Sequence, residues 1–217
     1  MNTVNTAQLI EMIAAISAAL AAERDRLNAL DAALGDGDHG SSLSAAFAEA
    51  VSQLRTAEVK TPSDVLRVTA MTLMNAMGGA SGALYGTLFL QASAAVKGQA
   101  TLGVVDFAAM WQAGLNGVIE RGKAELGGKT MIDALQPAFD ALKIANDEDQ
   151  SLADALAAAA DAAQQGADAT AEMVAQYGRA KFTGERSRGQ VDAGAASMAV
   201  MFKAMWDYWR GQEDGET

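Results

Sequence analysis

Three carboxylates fall within a short run, Asp31-Ala32-Ala33-Leu34-Gly35-Asp36-Gly37-Asp38-His39-Gly40-Ser41-Ser42. Asp31 belongs to the last turn of an expected helix that Gly35 can terminate, and glycines at 35, 37 and 40 let the following loop fold back toward it. Carboxylates gathered in this way repel one another unless a cation neutralises them, and an oxygen-only ligand set selects a hard ion such as Mg²⁺ or Ca²⁺. The helix dipole disfavours a negative charge where Asp31 stands, a cost that a bound cation offsets. An EF-hand is the nearest rival, but its loop asks for an acid or amide at Gly40 and a bidentate Glu at Phe47, and neither is present. The plain alternative is a polar turn whose acids cap the next helix. Mg²⁺ keeps several waters and shares its other positions with substrate phosphates, so an incomplete set of Asp31, Asp36 and Asp38 points to a nucleotide.

Three further segments bear on phosphate. Gly78-Gly79-Ala80-Ser81-Gly82 stands between two expected helices, and the N–H groups of a helix starting near Ser81, with the Ser81 hydroxyl, can hold a phosphate oxygen. Gly82 and Gly86 are equally suited to close helix packing. The stretch from Arg121 to Thr130 contains Gly-Lys-Thr, yet a Walker A motif needs glycine at position 123, where Lys stands, and a preceding strand. This loop is better read as lining a nucleotide, with Thr130 capping a helix that begins near Met131. Finally, Arg179, Lys181, Arg186 and Arg188 lie close together with Glu185 as the one acid among them. They form either a solvated charged loop or a source of positive charge for phosphoryl transfer.

The elements that must position these groups are helical. Leu9, Met12, Ile13, Ile16 and Leu20 share one helical face, as do Phe107, Met110, Trp111, Leu115 and Val118, and Met198, Met201, Phe202, Met205, Trp206 and Trp209. Thr61-Pro62-Ser63-Asp64 and Ser151 are start signals, and the alanine-rich composition favours helix. Helices are expected at about 6–22, 24–34, 41–57, 62–77, 81–97, 105–121, 130–146, 151–176 and 193–210, with no competing strand. The chain, 1–217, reads as a single all-α domain. Its net charge of −11 disfavours nucleic acid as a partner. No apolar run reaches the roughly 20 residues of a membrane span, and the N-terminal stretch lacks a basic leader. With no cysteine, disulfide and thiolate chemistry are excluded. A cytoplasmic location is the expectation.

The Gly-Asp-Gly-Asp-His-Gly run, Gly-Gly-Ala-Ser-Gly-Ala-Leu-Tyr-Gly-Thr, Gly-Lys-Thr-Met and Gly-Arg-Ala with Gly-Glu-Arg-Ser, in this order, resemble the nucleotide-binding L subunit of dihydroxyacetone kinases and the equivalent C-terminal domain of single-chain relatives. The resemblance spans nearly the whole chain. It implies a closed barrel of about eight antiparallel amphipathic helices with ADP or ATP bound at one end, and two Mg²⁺ ions held by Asp31, Asp36 and Asp38. It also implies nucleotide contacts from His39, Gly40, Ser41, Ser42, Ala80, Ser81, Gly122, Met131, Arg179, Asp192 and Gly194, with Arg179 as a stabiliser of phosphate charge and no residue assigned as catalytic base. The phosphoryl acceptor would be a small ketose held on a separate K subunit, and the donor either free ATP or a phosphotransferase-system protein. The stretch Gly189 to Gly194 departs from the family's common Gly-His-Gln-Asp-Pro-Gly, with Gln190, Val191 and Ala193 replacing its His, Gln and Pro. A related triose or tetrulose kinase, or a nucleotide-sensing module without turnover, are the alternatives.

Overall fold

Capping residues act where the sequence puts them in the computed structural model, which describes residues 2–214. Asn5 accepts from the Gln8 N–H and opens α1 (Thr6–Ala22), Thr61 with Asp64 makes a reciprocal capping box at α4 (Pro62–Ala76), and Ser151 caps α8 (Leu152–Ala169). The remaining helices are α2 (Arg24–Ala32), α3 (His39–Thr56), α5 (Gly79–Ala95), α6 (Val104–Gly122), α7 (Ile132–Asp147) and α9 (Ala193–Asp214).

Eight of these close into a ring. α1 packs on α3, then α3 on α4, α4 on α5, α5 on α6, α6 on α7, α7 on α8 and α8 on α9, and α9 returns to α1. Short α2 stands beside α3 at one end. The apolar stripes meet inside, where Phe47, Phe89, Trp111 and Phe202 form a run of ring contacts 4.5–6.4 Å between centroids. Small residues let the helices approach. A Cβ on Gly86 would collide with the Met74 side chain, and one on Gly166 with the Asp133 carbonyl oxygen, so both glycines are demanded by packing. No single helix among the described residues is long and apolar enough to cross a membrane. The consecutive pair α1–α2, bent by 58°, would pass by composition alone, but α1 buries its stripe in the barrel.

Three sequence expectations are corrected. A two-residue antiparallel pair, β1 (Val4–Asn5) with β2 (Thr101–Leu102), ties the start of α1 to the start of α6, although no strand was expected. Two residues carry no period. The eighth helix ends at Ala169 rather than 176, because the Thr170 hydroxyl donates to Ala167 O and the Thr170 carbonyl is taken by the Lys129 ammonium, which diverts the backbone into a 3₁₀ turn, Thr170–Glu172. The charged stretch Ala180–Ser187, for which no helix is expected, forms two 3₁₀ turns broken at Gly184, where φ is +56°.

Candidate metal and phosphate site

The antiparallel ring brings four helix N-termini to one end. His39 at the head of α3, Ala80 and Ser81 in the first turn of α5, Met131 just before α7, and Ala193 and Gly194 at the head of α9 all line a cavity of about 730 Å³. Each brings the positive end of a helix dipole. Such a mouth favours an anion. Gly78 and Gly79 border it with open space where a Cβ would stand, so packing does not require them, although the φ of +66° at Gly79 does favour glycine.

The carboxylate group stands at the head of α3, where Asp38 is the N-cap residue. One ligand oxygen from each of Asp31, Asp36 and Asp38 lies within 4.8 Å of the others, the one such group of three among the described residues. The loop is built around Asp31: its Oδ2 accepts from the Asp38 N–H at 3.0 Å and the His39 N–H at 3.3 Å. Gly35 leaves room for that side chain, since a Cβ there would collide with Asp31 Oδ1, and Gly37 makes the reversal at a φ of +77°. Arg179 pairs with Asp36 across the mouth and holds its carboxyl below the usual carboxylate range. Both side chains are exposed. Three hard oxygen donors with one pairing cation on the rim fit a divalent ion such as Mg²⁺.

Most of the expected contacts converge. Asp31, Asp36, Asp38, His39, Ser42, Ala80, Ser81, Gly122, Met131, Arg179, Asp192 and Gly194 share the cavity wall. Gly40 and Ser41 do not. Gly40 is pressed against α2, where a Cβ would collide with the Arg24 carbonyl oxygen, and Ser41 exchanges two hydrogen bonds with the Asn28 side chain at 2.8 and 2.9 Å. Their observed contacts dock α3 on α2. The basic run divides in the same way: only Arg179 reaches the cavity wall, while Arg188 is spent on Glu185 and the Glu172 carbonyl, and Lys181 lies over the exposed Phe182 ring. Thr130 Oγ accepts from the Ile132 N–H at 3.2 Å, but Asp133 does more at this turn, accepting from Gly127 N at 2.5 Å and Thr130 N at 2.7 Å.

Lys129 and Tyr85 on the wall, and Ser197 behind it, are not singled out as site residues by the sequence. Lys129 is 1% exposed at a φ of +60°, and its ammonium donates to the Thr170 carbonyl at 2.5 Å and to the Gln190 carbonyl. Tyr85 is buried and hydrogen-bonded to Ser197, and Ser197 also meets His39. Burial lowers the His39 imidazole below its ordinary value despite the opposing fields of Asp31 and Asp38, so the ring is neutral near pH 7. Tyr85 stands inside the Gly-Gly-Ala-Ser-Gly-Ala-Leu-Tyr motif, a signal that was on the page. Lys129 and Ser197 are distinguished only by what folds against them.

Asp192 gives a pH handle. Burial pushes its carboxyl up to about 6, against the pull of the Ala195 N–H, which it accepts at 2.8 Å, and of Lys129. A carboxyl raised in the folded state costs nothing below the unfolded value near 3.9, and destabilises progressively as pH rises to about 6. Asp192→Asn keeps an acceptor oxygen for Ala195 and removes the titration. The variant is therefore expected to gain about 2 kcal/mol over the wild type between pH 4 and pH 7. Urea unfolding midpoints for the two proteins across that range check this, and parallel curves refute it.

An all-helical barrel whose end cavity sets a carboxylate triad against helix N-termini defines a phosphate- and cation-binding class of domain. Residues 33–207 match the DAK2 domain, and the chain belongs to that family. It is 35% identical over 198 residues to the PEP-dependent dihydroxyacetone kinase, ADP-binding subunit DhaL of Escherichia coli, covering 91% of this chain and 94% of that one. It is 38% identical over 179 residues to the PEP-dependent dihydroxyacetone kinase 1, ADP-binding subunit DhaL of Listeria innocua, covering 82% and 84%. The L-erythrulose 1-kinase of Mycolicibacterium smegmatis matches at 34% over 186 residues, 84% of this chain but 32% of that protein. Among solved structures, the dihydroxyacetone kinase of C. freundii in complex with AMP-PNP and Mg²⁺ superposes with a TM-score of 0.72 at 31% identity, covering 95% of this chain and 35% of that one. The chain thus spans about a third of the longer kinases it matches and most of the subunit-type relatives.

Proposed function

We propose that this chain is the nucleotide-binding subunit of a dihydroxyacetone-type kinase, which binds ADP or ATP with Mg²⁺ and transfers a phosphoryl group to the hydroxyl of a small ketose held on a partner K subunit. The observation that carries the reading is one cavity lined both by Asp31, Asp36 and Asp38 and by four helix N-termini. When bound, Mg²⁺, in one or two ions, supplies charge neutralisation for the phosphates. The chain's own groups do the rest. The N–H groups at the head of α5 hold phosphate oxygens, Ser81 and Ser42 add hydroxyl donors, and Arg179 would pair with a phosphate oxygen in place of Asp36 if that carboxylate held a metal.

We assign no group in the cavity as the base for a sugar hydroxyl: His39 is tied through Nε2 to Ser197 in the wall, and its other nitrogen is read as a contact to the nucleotide or its metal-bound water. The acceptor is therefore anchored by the partner, and this subunit alone does not turn over. The subunit-type relatives, named PEP-dependent or PTS-dependent and matched over most of their length, support a separate partner and a phosphotransferase-linked donor, and the cytoplasm is the compartment this reading implies. The similarity to an erythrulose kinase and the altered Gly189–Gly194 stretch favour a tetrulose acceptor as the second reading.

Calorimetric titration of the purified chain tests the nucleotide half: saturable binding of ADP is expected with Mg²⁺ present and is expected to weaken when the metal is chelated. Absence of binding under both conditions overturns the proposal. Adding a K subunit and following ketose phosphorylation separates a kinase subunit from a nucleotide sensor, because the sensor gives no turnover.

A further inference from the structure

The floor of the cavity holds a buried polar chain that joins three helices. His39 Nε2, at the head of α3, lies 3.0 Å from Ser197 Oγ in α9, and Tyr85 OH, from α5, lies 2.5 Å from the same oxygen. Ser197 Oγ is in turn 2.9 Å from the Gly194 carbonyl oxygen. Ser197 is fully buried, and His39 and Tyr85 are nearly so.

The hydrogens can be counted. A serine hydroxyl has one hydrogen to donate and two lone pairs that accept. The Gly194 carbonyl can only accept, so the Ser197 hydrogen goes there. The phenol of Tyr85 reaches Gly194 O only at 3.5 Å, too long to be its main bond, and therefore donates to Ser197 Oγ. The second lone pair of Ser197 is left for His39, whose Nε2 must then carry the ring hydrogen. In the competing arrangement Ser197 donates to Nε2, the Gly194 carbonyl loses the hydroxyl, and the ring hydrogen moves to Nδ1.

From this inventory we infer that Ser197 is a positioning residue of the nucleotide site, locking His39 as the Nε2–H tautomer so that Nδ1 offers a lone pair to an O–H donor of the bound ligand. Nδ1 has no hydrogen-bond partner among the described residues, and His39 lines the cavity. A bare lone pair repels a phosphate oxygen and accepts from a hydroxyl. His39 thus selects a ribose hydroxyl or a metal-bound water, and leaves phosphate to the helix N-termini. This rests on the reading of the cavity as a nucleotide site, whereas the tautomer itself is a property of the free protein.

The chain has a single histidine, so its ring nitrogens are unambiguous in a long-range ¹H–¹⁵N spectrum. Recorded at a pH where the ring is neutral, the ligand-free protein is expected to show the Nε2–H tautomer. Ser197→Ala is expected to give a mixture of tautomers and to weaken Mg-ADP about tenfold. Tyr85→Phe, which leaves the Ser197 acceptor in place, is expected to retain the wild-type tautomer. An Nδ1–H tautomer in the wild type, or an unchanged tautomer or unchanged affinity in Ser197→Ala, overturns the inference. Titration separates the two donors: an Nδ1 shift on adding Mg²⁺ alone assigns water, and one that appears only with nucleotide assigns a ribose hydroxyl. Bound Mg-ADP with no Nδ1 shift overturns the acceptor role, while no binding of Mg-ADP at all refutes the nucleotide reading and leaves the tautomer result standing.

Discussion

Replacing Asp36 and Asp38 together by Asn is expected to abolish the stabilisation that Mg-ADP gives the wild type and to lower ketose phosphorylation with a K subunit by on the order of a thousandfold. Amides keep the size and one acceptor oxygen each, but they remove two of the three charges facing a cation. The pair is chosen because Asp31 also accepts from the Asp38 and His39 N–H groups and so shapes the loop itself. Losing that carboxylate would confuse folding with binding. Asp36 is exposed and its partner Arg179 is a surface cation, so the ligand-free variant is expected to melt near the wild-type temperature, with less carboxylate repulsion offsetting a weak ion pair. A ligand at a hundredfold over its Kd stabilises by about 2.7 kcal/mol, readily seen as a thermal shift. A full shift in the double variant would show that the acids do not hold the metal.

Lys129→Met is expected to cost about 2–4 kcal/mol and to lower the melting temperature by roughly 4–16 °C. The ammonium is buried and holds the carbonyls of Thr170 and Gln190, in two segments that are also joined by the Gly189–Ala171 bond, by Arg188 to the Glu172 carbonyl and by the bond from Asp192 N to Thr170 Oγ. Methionine has a similar length and no donor, so two carbonyls lose their partner in a place water reaches poorly. The expectation is much larger than for an exposed pair such as Lys60 with Glu58. Because Gln190 leads into Asp192 and Gly194 on the cavity wall, Mg-ADP affinity is expected to fall as well. Thermal melts and calorimetry on the same preparation check both effects, and a variant as stable as the wild type refutes the strap.

The helices and the acid cluster were legible in the sequence because their signals are local. Thr61 with Asp64, Ser151 with Asp154, and the apolar stripes act over three or four residues, and the observed boundaries follow them. Asp31, Asp36 and Asp38 lie on one short loop whose glycines leave few ways to fold, so their convergence could be read before any tertiary contact was known. Motif likeness added the barrel and a set of expected nucleotide contacts, of which Ala80, Gly122, Met131 and Gly194 line the cavity while Gly40 and Ser41 do not.

The tertiary structure decided the rest. Whether Gly40 faces ligand or α2 depends on how closely two helices cross, and the Arg24 carbonyl and Asn28 claim that space. The end of α8 at Ala169 was set by a lysine forty residues upstream, which no window along the chain contains. His39 and Ser197 lie 158 residues apart, and neither type is unusual in its local setting. The sequence by itself determined which residues form helices and that three acids meet, since backbone capping and short loops enforce both. Only closing the ring, with α9 back against α1, determined which buried polar groups find partners, because a lysine or a serine in the interior is satisfied by atoms brought from distant segments.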